Sequence, residues 1–571
     1  MLHYHQFPSY FIRKACNILN DDCVKFLQLI ELVQFVKRSY SSEPKYTEIR
    51  AGIPEDYKEI KTLKDLLEIN YKILGAKEQL RRNLILMTQT NNAKYPGILG
   101  FNEDVIPALD RAILSYHDIL IIGQIGQAKT KISEIIANHL LSPIPIIKNS
   151  LTNDCPMDLP QDEMISLLED TEPIRQNTHF HISPESSEKI RNEKLDTPIE
   201  WLEGKHRYKY VLATPDISVK DLVGYIDAIK IAKKGIEMYR IESYSPGQLM
   251  QAKHGIFCID ELPVLDPRKQ VALLSVLQEG KFTTGAYPVI FEPKTMFFAT
   301  ANPIDYTHSG KIIEPLYDRL KSHIHTHYPN SLEDEMLIII QEANISKSLI
   351  PVFMLKMMGK IVQNARASNE INQEKGISVR LGIHGLELLV GEAERTRALH
   401  HKILPVPRLS DIFCLDQVAK FELSEMDDTV ENRSKVFRDI ITKSIQDITT
   451  QYLEGIEPST FEEINQEFAG KTFHVSQLNL WENANEGYYK NQLTNFKTLE
   501  KLVDSVLQKV FLEQKEFEKN ASQYQIKSEM LNKSKEAESE LKAAIIEIIL
   551  EGLCWIQPKI LEKRESSYVS T

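Results

Sequence analysis

The chain has 571 residues, 42% of them hydrophobic, and carries 68 basic against 80 acidic side chains, a formal net charge of −12. That length calls for roughly three or four domains with ordinary buried cores, and the acidic balance argues against nucleic-acid backbone as the main partner. No apolar run reaches the ~20 residues of a bilayer span, since the richest, 543–556, is interrupted by Glu547 and Glu551, and the six scattered cysteines (Cys16, Cys23, Cys155, Cys258, Cys414, Cys554) show no metal-ligand spacing and read as free thiols of a reducing compartment.

Residues 1–58 form an N-terminal extension of unassigned role. Its first forty residues carry five cations and three acids, Asp21, Asp22 and Glu31. They read either as a helical extension of a cytoplasmic protein or as a mitochondrial transit peptide; transit peptides avoid acids, which favours the first. Residues 59–95 form a helical segment packing on the α/β core: Leu63, Leu66, Leu67, Ile73 and Leu74 recur near helical spacing within 61–90.

Residues 96–328 pattern as an α/β domain. An apolar strand, 119–122, breaks into Gly123, Gln124, Ile125, Gly126, Gln127, Ala128, Lys129 and Thr130, and a helix follows. This is the layout of a phosphate cradle. The glycines let successive backbone N–H groups face an anion at a helix N-terminus, Lys129 would reach the β- and γ-phosphates, and Thr130 would hold Mg²⁺. Alanine stands where the P-loop rule has its second glycine, and a plain tight connection is the other reading. Residues 143–150 read as a second strand bounded by prolines, 154–207 as a polar insertion, and 219–234 as a helix.

The next apolar strand, 255–259, delivers Asp260 and Glu261 at its carboxyl end, the edge at which open parallel sheets bind ligands. Asp260 suits the metal-positioning acid of a nucleotide site and Glu261 the polarisation of a water; a helix cap after a buried strand is the plainer reading. A helix over 268–278 and a hairpin over 281–294 with Gly285 near its tip come next. The strand 295–301 then ends in Asn302 and Pro303, either a water-orienting amide or an ordinary turn. The run 314–320 places Arg319 at a helix end, as an arginine finger for a neighbouring subunit or as a solvated side chain.

Taken in order, GQIGQAKT, GIFCIDEL, FFATANP and EPLYDRL resemble an AAA+ ATPase, specifically the clade of the magnesium chelatase ATPase subunit and the MoxR ATPases, whose members often carry alanine before the P-loop lysine. ATPDISVKDLVGYIDAIKIAKKG followed by SPGQLMQAKHGIFCIDEL is similar to the chelatase segment ahead of the second acidic motif, and ISVRLGIHGLELLVGEAERTRAL, 377–399, to the lid helix bearing sensor 2. The match, closest to a chelatase-like bacterial group, extends from about residue 60 to near the C-terminus. It implies an AAA+ P-loop NTPase core, a parallel sheet between helices, with an all-α lid at 329–402 and further helices at both ends. It also implies Asn302 as sensor 1, Arg319 as the finger acting in trans and Arg380 as sensor 2.

By the same resemblance the chain is an ATPase that binds ATP and Mg²⁺ (through Thr130 and Asp260) and assembles as a homo-oligomeric, hexameric ring. Hydrolysis would change the angle between α/β domain and lid, in a chaperone that remodels, or inserts metal into, a partner carrying a von Willebrand factor A domain. Rival readings are an ATP-dependent assembly switch with little turnover, magnesium insertion into porphyrin, and an AAA+ transcriptional activator, against which stands the lack of a GAFTGA-like loop or helix-turn-helix pattern. Pro405 and Pro407 mark a linker to a helical region, 403–571, in which 514–542 is charged and 541–553 amphipathic. His323, His325 and His327 alternate as on one strand face, which suits either a transition metal or a structural strand; no carboxylate or cysteine accompanies them, and His179 and His181 form a weaker pair.

Overall fold

The computed structural model describes residues 21–171, 179–235, 243–279, 282–284, 287–303, 311–345, 348–424, 428–475, 486–524, 526 and 538–571. They fall into two units, one drawn from residues up to 95, 104–122 and 129–325, the other from 96–103, 123–128 and 326–571.

The first unit is built on five parallel strands, β1 (Ile119–Ile122), β2 (Tyr208–Leu212), β3 (Ile256–Asp260), β4 (Met296–Ala301) and β5 (Ser322–His325), in the spatial order β5-β1-β4-β3-β2. β1 and β4 are buried throughout and β3 up to Asp260, so they read as apolar runs, broken in β4 by Thr300; the edge strands β2 and β5 alternate. Helix α1 (Lys129–Leu140) packs over the sheet with Ile132, Ile136 and Leu140 buried. Asp118, just ahead of β1, clamps the strands' starting edge: its carboxylate accepts the Phe297 N–H at 2.8 Å and Lys77 Nζ at 2.7 Å.

Several expectations for this unit are corrected. Residues 61–90 form two helices, Leu63–Glu68 and Ala76–Gln89, because Asn70 turns left-handed (φ 53°) and Tyr71 is buried between them. The strand expected in 143–150 exists as Ile144–Ile147, but it pairs antiparallel with Ile199–Leu202 in a separate ribbon. The polar stretch 154–207 carries the helices Gln161–Glu169 and Pro184–Glu193, whose Met164, Leu167, Leu168 and Ile190 share a core with Leu63, Leu66 and Leu67. Residues 219–234 are not one helix. Gly224, at φ 109°, breaks it into Val219–Val223 and Ala228–Lys234 around a short strand, Gly224–Ile226, that pairs with Tyr244–Pro246. A side chain at Gly247 would start 2.4 Å from the Gly224 nitrogen, so only glycine permits this crossing. The expected hairpin is present as Phe282–Thr284 against Tyr287–Phe291, while Gly285 and residues 1–20 lie outside the described residues.

In the second unit, α2 (Leu332–Glu342), α3 (Val352–Ala367) and α4 (Arg380–Ala393) share one hydrophobic core with α5 (Val430–Leu453), α6 (Lys497–Gln523), α7 (Glu538–Leu553) and a three-stranded antiparallel sheet of Phe473–His474, Leu561–Arg564 and Ser567–Ser570. Val352–Ala367 and Arg380–Ala393 lie where lid helices were expected, with α4 starting at Arg380, two residues ahead of Gly382. The stretch around Pro405 is packed, contrary to the expected linker: Val406 is buried, and the Pro405 carbonyl accepts the Leu349 N–H at 3.0 Å. Helix α7 is buried at every residue from Ala543 to Leu553, so over that span it is not amphipathic in the folded chain. Its three buried acids are satisfied internally: Glu540 by Arg408, Glu547 by the Ser410 N–H (2.9 Å) and Tyr489 (2.8 Å), and Glu551 by Lys563 (2.7 Å) and Tyr568 (2.6 Å). Among the described residues no helix is long and apolar enough to cross a membrane.

Beside α7, buried Arg397 grips Asp411 with two bonds of 2.7 and 2.6 Å. Removing one partner of a buried pair strands the other charge, which costs about 3–5 kcal/mol. Asp411→Ala should therefore lower the urea midpoint steeply, whereas Glu68→Ala at the exposed Lys64–Glu68 pair, 3.8 Å apart, should leave it where it is.

Candidate functional site

β1 runs directly into the glycine turn, and α1 opens at Lys129. Ala128 adopts φ 55°, the left-handed conformation that glycine would take, and Gly126 has φ 82°, so the alanine keeps the turn at some backbone cost. Within the second unit the turn is closely hemmed. A Cβ on Gly123 would lie 1.9 Å from Thr326 Oγ1, and one on Gly126 2.1 Å from Ser378 Oγ. Gln127 is buried, and its Oε1 accepts the Gln124 N–H at 2.9 Å and the Thr326 hydroxyl at 3.0 Å. Tyr328 donates to the Ile125 carbonyl at 2.9 Å, and Gln124 Nε2 donates to the Gln373 carbonyl at 3.0 Å. The turn thus rests on the segment that leads into α4. Arg380, the first residue of that helix, donates its backbone N–H to Ser378 Oγ at 3.1 Å; its guanidinium is exposed and has no hydrogen-bond or ion-pair partner among the described residues.

In the first unit the carboxyl ends of three strands converge on Asp260. Its Oδ2 accepts Thr130 Oγ1 at 3.1 Å and the Tyr210 hydroxyl at 2.9 Å, and its Oδ1 accepts Thr300 Oγ1. Thr300, fully buried on β4, also receives the Glu261 N–H at 3.0 Å, so one hydroxyl fixes both neighbouring acids. Glu261 stands at φ 57°, ψ 45°, a left-handed conformation that costs a non-glycine residue ~1–3 kcal/mol. Such strain persists where the surroundings over-determine the backbone, as Thr300 does here. Partial desolvation and the adjacent Asp260 carboxylate raise the Tyr210 phenol above its ordinary value.

Asn302 sits half-buried just past the end of β4. Arg319 closes the helix Glu314–Arg319, which is anchored by buried Leu316 and by the Ile313 N–H on Gln270 (2.9 Å). The Arg319 guanidinium is half-buried with no hydrogen-bond or ion-pair partner among the described residues. The structure therefore brings Thr130 and Asp260 into contact, sets Glu261 beside them, and places the turn 123–128 against the segment before Arg380. The alternating histidines do not form a ligand set. His323 lies against Tyr317 (ring centroids 4.1 Å), His327 lies edge-on to Phe101 in the second unit, and no three metal-ligating side chains converge among the described residues. For His179 only the backbone, in a short strand, is described.

Tyr210, Thr300 and the inward fold of Gln127 are additions that the sequence pattern does not reveal. Tyr210 is one of three alternating residues on β2, and only the register that sets Tyr210 opposite Cys258 and Leu212 opposite Asp260 carries its hydroxyl to the acid.

Residues 198–320, which include β2, β3, β4 and Arg319, match the family model of the AAA domain (dynein-related subfamily). Over that segment the α/β core is similar to an AAA domain. The uncharacterized protein YeaC of Bacillus subtilis (strain 168) is 25% identical over 219 residues, 35% of this chain and 64% of YeaC, so the match spans less than two thirds of that relative's length. Among solved structures, the complex between subunits BchI and BchD of magnesium chelatase is 16% identical over 59% of this chain and 98% of the compared chain, with a TM-score of 0.29. NtrX from Brucella abortus in complex with ATP is 13% identical over 68% and 69% of the two chains, with a TM-score of 0.28.

Because Thr300 serves both acids from a fully buried position, Thr300→Val should leave a carboxylate oxygen and a backbone N–H short of a partner. The expected loss in urea unfolding is about 1–3 kcal/mol. Tyr210→Phe, at a position 41% exposed, should cost distinctly less.

Proposed function

We propose that this chain is an ATP-hydrolysing AAA+ ATPase that works as a ring, in the manner of the MoxR and magnesium chelatase proteins, and remodels or metallates a partner protein. The observation that supports this most is the contact between Thr130, at the head of the P-loop helix, and Asp260, at the end of an adjacent buried strand. Both offer hard oxygen donors side by side, which suits a magnesium ion brought in with a nucleotide. When bound, that ion neutralises charge on the phosphates. The backbone N–H groups of Gly123, Gln124, Ile125, Gly126, Gln127 and Ala128 would line the phosphate cradle. Lys129 would hold the β- and γ-phosphates, and Thr130 and Asp260 the metal.

Glu261 is assigned to orient the attacking water and take its proton, with Asn302 holding that water from β4. The strained backbone of Glu261, pinned by Thr300, aims its side chain without reorganisation. Arg319 is assigned to the phosphates of a neighbouring subunit, and its guanidinium, without a partner among the described residues, fits a charge reserved for an interface. Arg380 is assigned to the nucleotide as sensor 2. A hexameric ring and a partner with a von Willebrand factor A domain complete the reading, on family likeness alone.

Purified protein should hydrolyse ATP, and Glu261→Gln should bind ATP as well as wild type while turning over at least ~10²-fold more slowly. Equal rates would turn the assignment toward an assembly switch. Arg319→Ala should lose ~10³-fold in turnover. Mixing it with Glu261→Gln should restore part of the rate, because mixed interfaces recover one intact glutamate facing one intact arginine. A mixture as inactive as its components would exclude the trans finger.

A further inference from the structure

At the amino ends of the strands, the opposite edge from Asp260, the first unit encloses a cavity of about 250 Å³ that the nucleotide reading does not use. Its floor is apolar and buried: Ile147, Ile182, Tyr244 and Met250. One wall is an ion pair, Lys253 to Asp154 at 3.1 Å, with side chains 3% and 1% exposed. That wall is neutral and saturated. Lys253 spends its other donors on Asp158 (3.1 Å) and the His181 carbonyl, and Asp154 also accepts the Ser183 N–H (3.0 Å), Ser186 Oγ (2.8 Å) and Thr152 Oγ1 (2.9 Å).

The mouth differs. Lys148, Lys189 and Lys230 line it with one acid, Glu185. An ammonium has three donors. Lys189 places one on the Lys148 carbonyl (3.0 Å), Lys230 makes only long contacts to the Tyr244 carbonyl (3.2 Å) and Glu185 (3.4 Å), and Lys148 Nζ has no partner among the described residues. A cationic mouth with spare donors, over an apolar floor and beside a rigid neutral wall, selects charge at one end of a ligand and hydrocarbon at the other.

We propose that this cavity binds a small organic anion, a carboxylate or phosphate group on a compact apolar body. The anion meets Lys148, Lys189 and Lys230, and the body rests on Ile147, Ile182 and Met250. The seat is separate from the P-loop, and it adjoins Lys253, three residues ahead of β3.

The test uses the full chain and 3-phenylpropionate, a carboxylate chosen so that the phosphate cradle does not compete, with 3-phenylpropan-1-ol as its uncharged counterpart. Calorimetry or ligand-observed NMR should show saturable binding with a Kd of order 1 mM, weakening as salt rises. The alcohol should bind at least tenfold more weakly. Lys148→Ala combined with Lys230→Ala, both at the surface, should weaken the acid at least tenfold with an unchanged circular dichroism spectrum, and Lys129→Ala should leave it intact. No saturable binding of the acid, equal binding of acid and alcohol, indifference to the two mouth substitutions, or loss in Lys129→Ala would each overturn the proposal.

Discussion

The carboxylate of Asp260 is the point on which the first unit's chemistry rests. Three hydroxyls reach it from three elements: Thr130 from the helix after the glycine turn, Tyr210 from β2 and Thr300 from β4. None of these contacts is strong alone, since a hydrogen bond contributes only ~0.5–1.5 kcal/mol net and more to a charged group. Their value is geometric. They fix where one carboxylate stands relative to a helix N-terminus and, through Thr300, fix the backbone of Glu261 at an angle that it would not hold unaided.

The surrounding sheet makes that geometry cheap to maintain. β1, β4 and most of β3 are buried on both faces, so their register cannot slip without exposing apolar side chains. At the opposite edge Asp118 ties β4 to the sheet and to Lys77 of a preceding helix. A parallel sheet pinned at one edge by a buried acid can present a second acid at the other with little freedom.

How much of this is legible in the sequence depends on the range of the interaction that decides each element. The apolar strands ending in Asp260 and Asn302, the helix after Lys129 and the short helix ending in Arg319 are written in local patterns, and the structure has them. Elements decided by distant partners are not readable in the same way. Ile144–Ile147 pairs with Ile199–Leu202 across more than fifty residues, Gly224 breaks a helical run because Gly247 crosses it, and α7 hides three acids because arginine, lysine and tyrosine side chains from other segments meet them. Hydropathy alone reads those acids as a polar face. Tyr210 escapes notice for the same reason, since a tyrosine on an alternating edge strand has many ordinary uses.

The small sheet that ends the chain carries a practical message for handling the protein. Ser567–Ser570 is its middle strand, flanked by Phe473–His474 and Leu561–Arg564, and Tyr568 caps buried Glu551. Trimming a handful of residues from that end would unzip two edges at once and strip buried Glu551 of its tyrosine donor, leaving Lys563 to hold it from a strand that has lost its neighbour. Affinity handles and shortened versions belong elsewhere on this molecule.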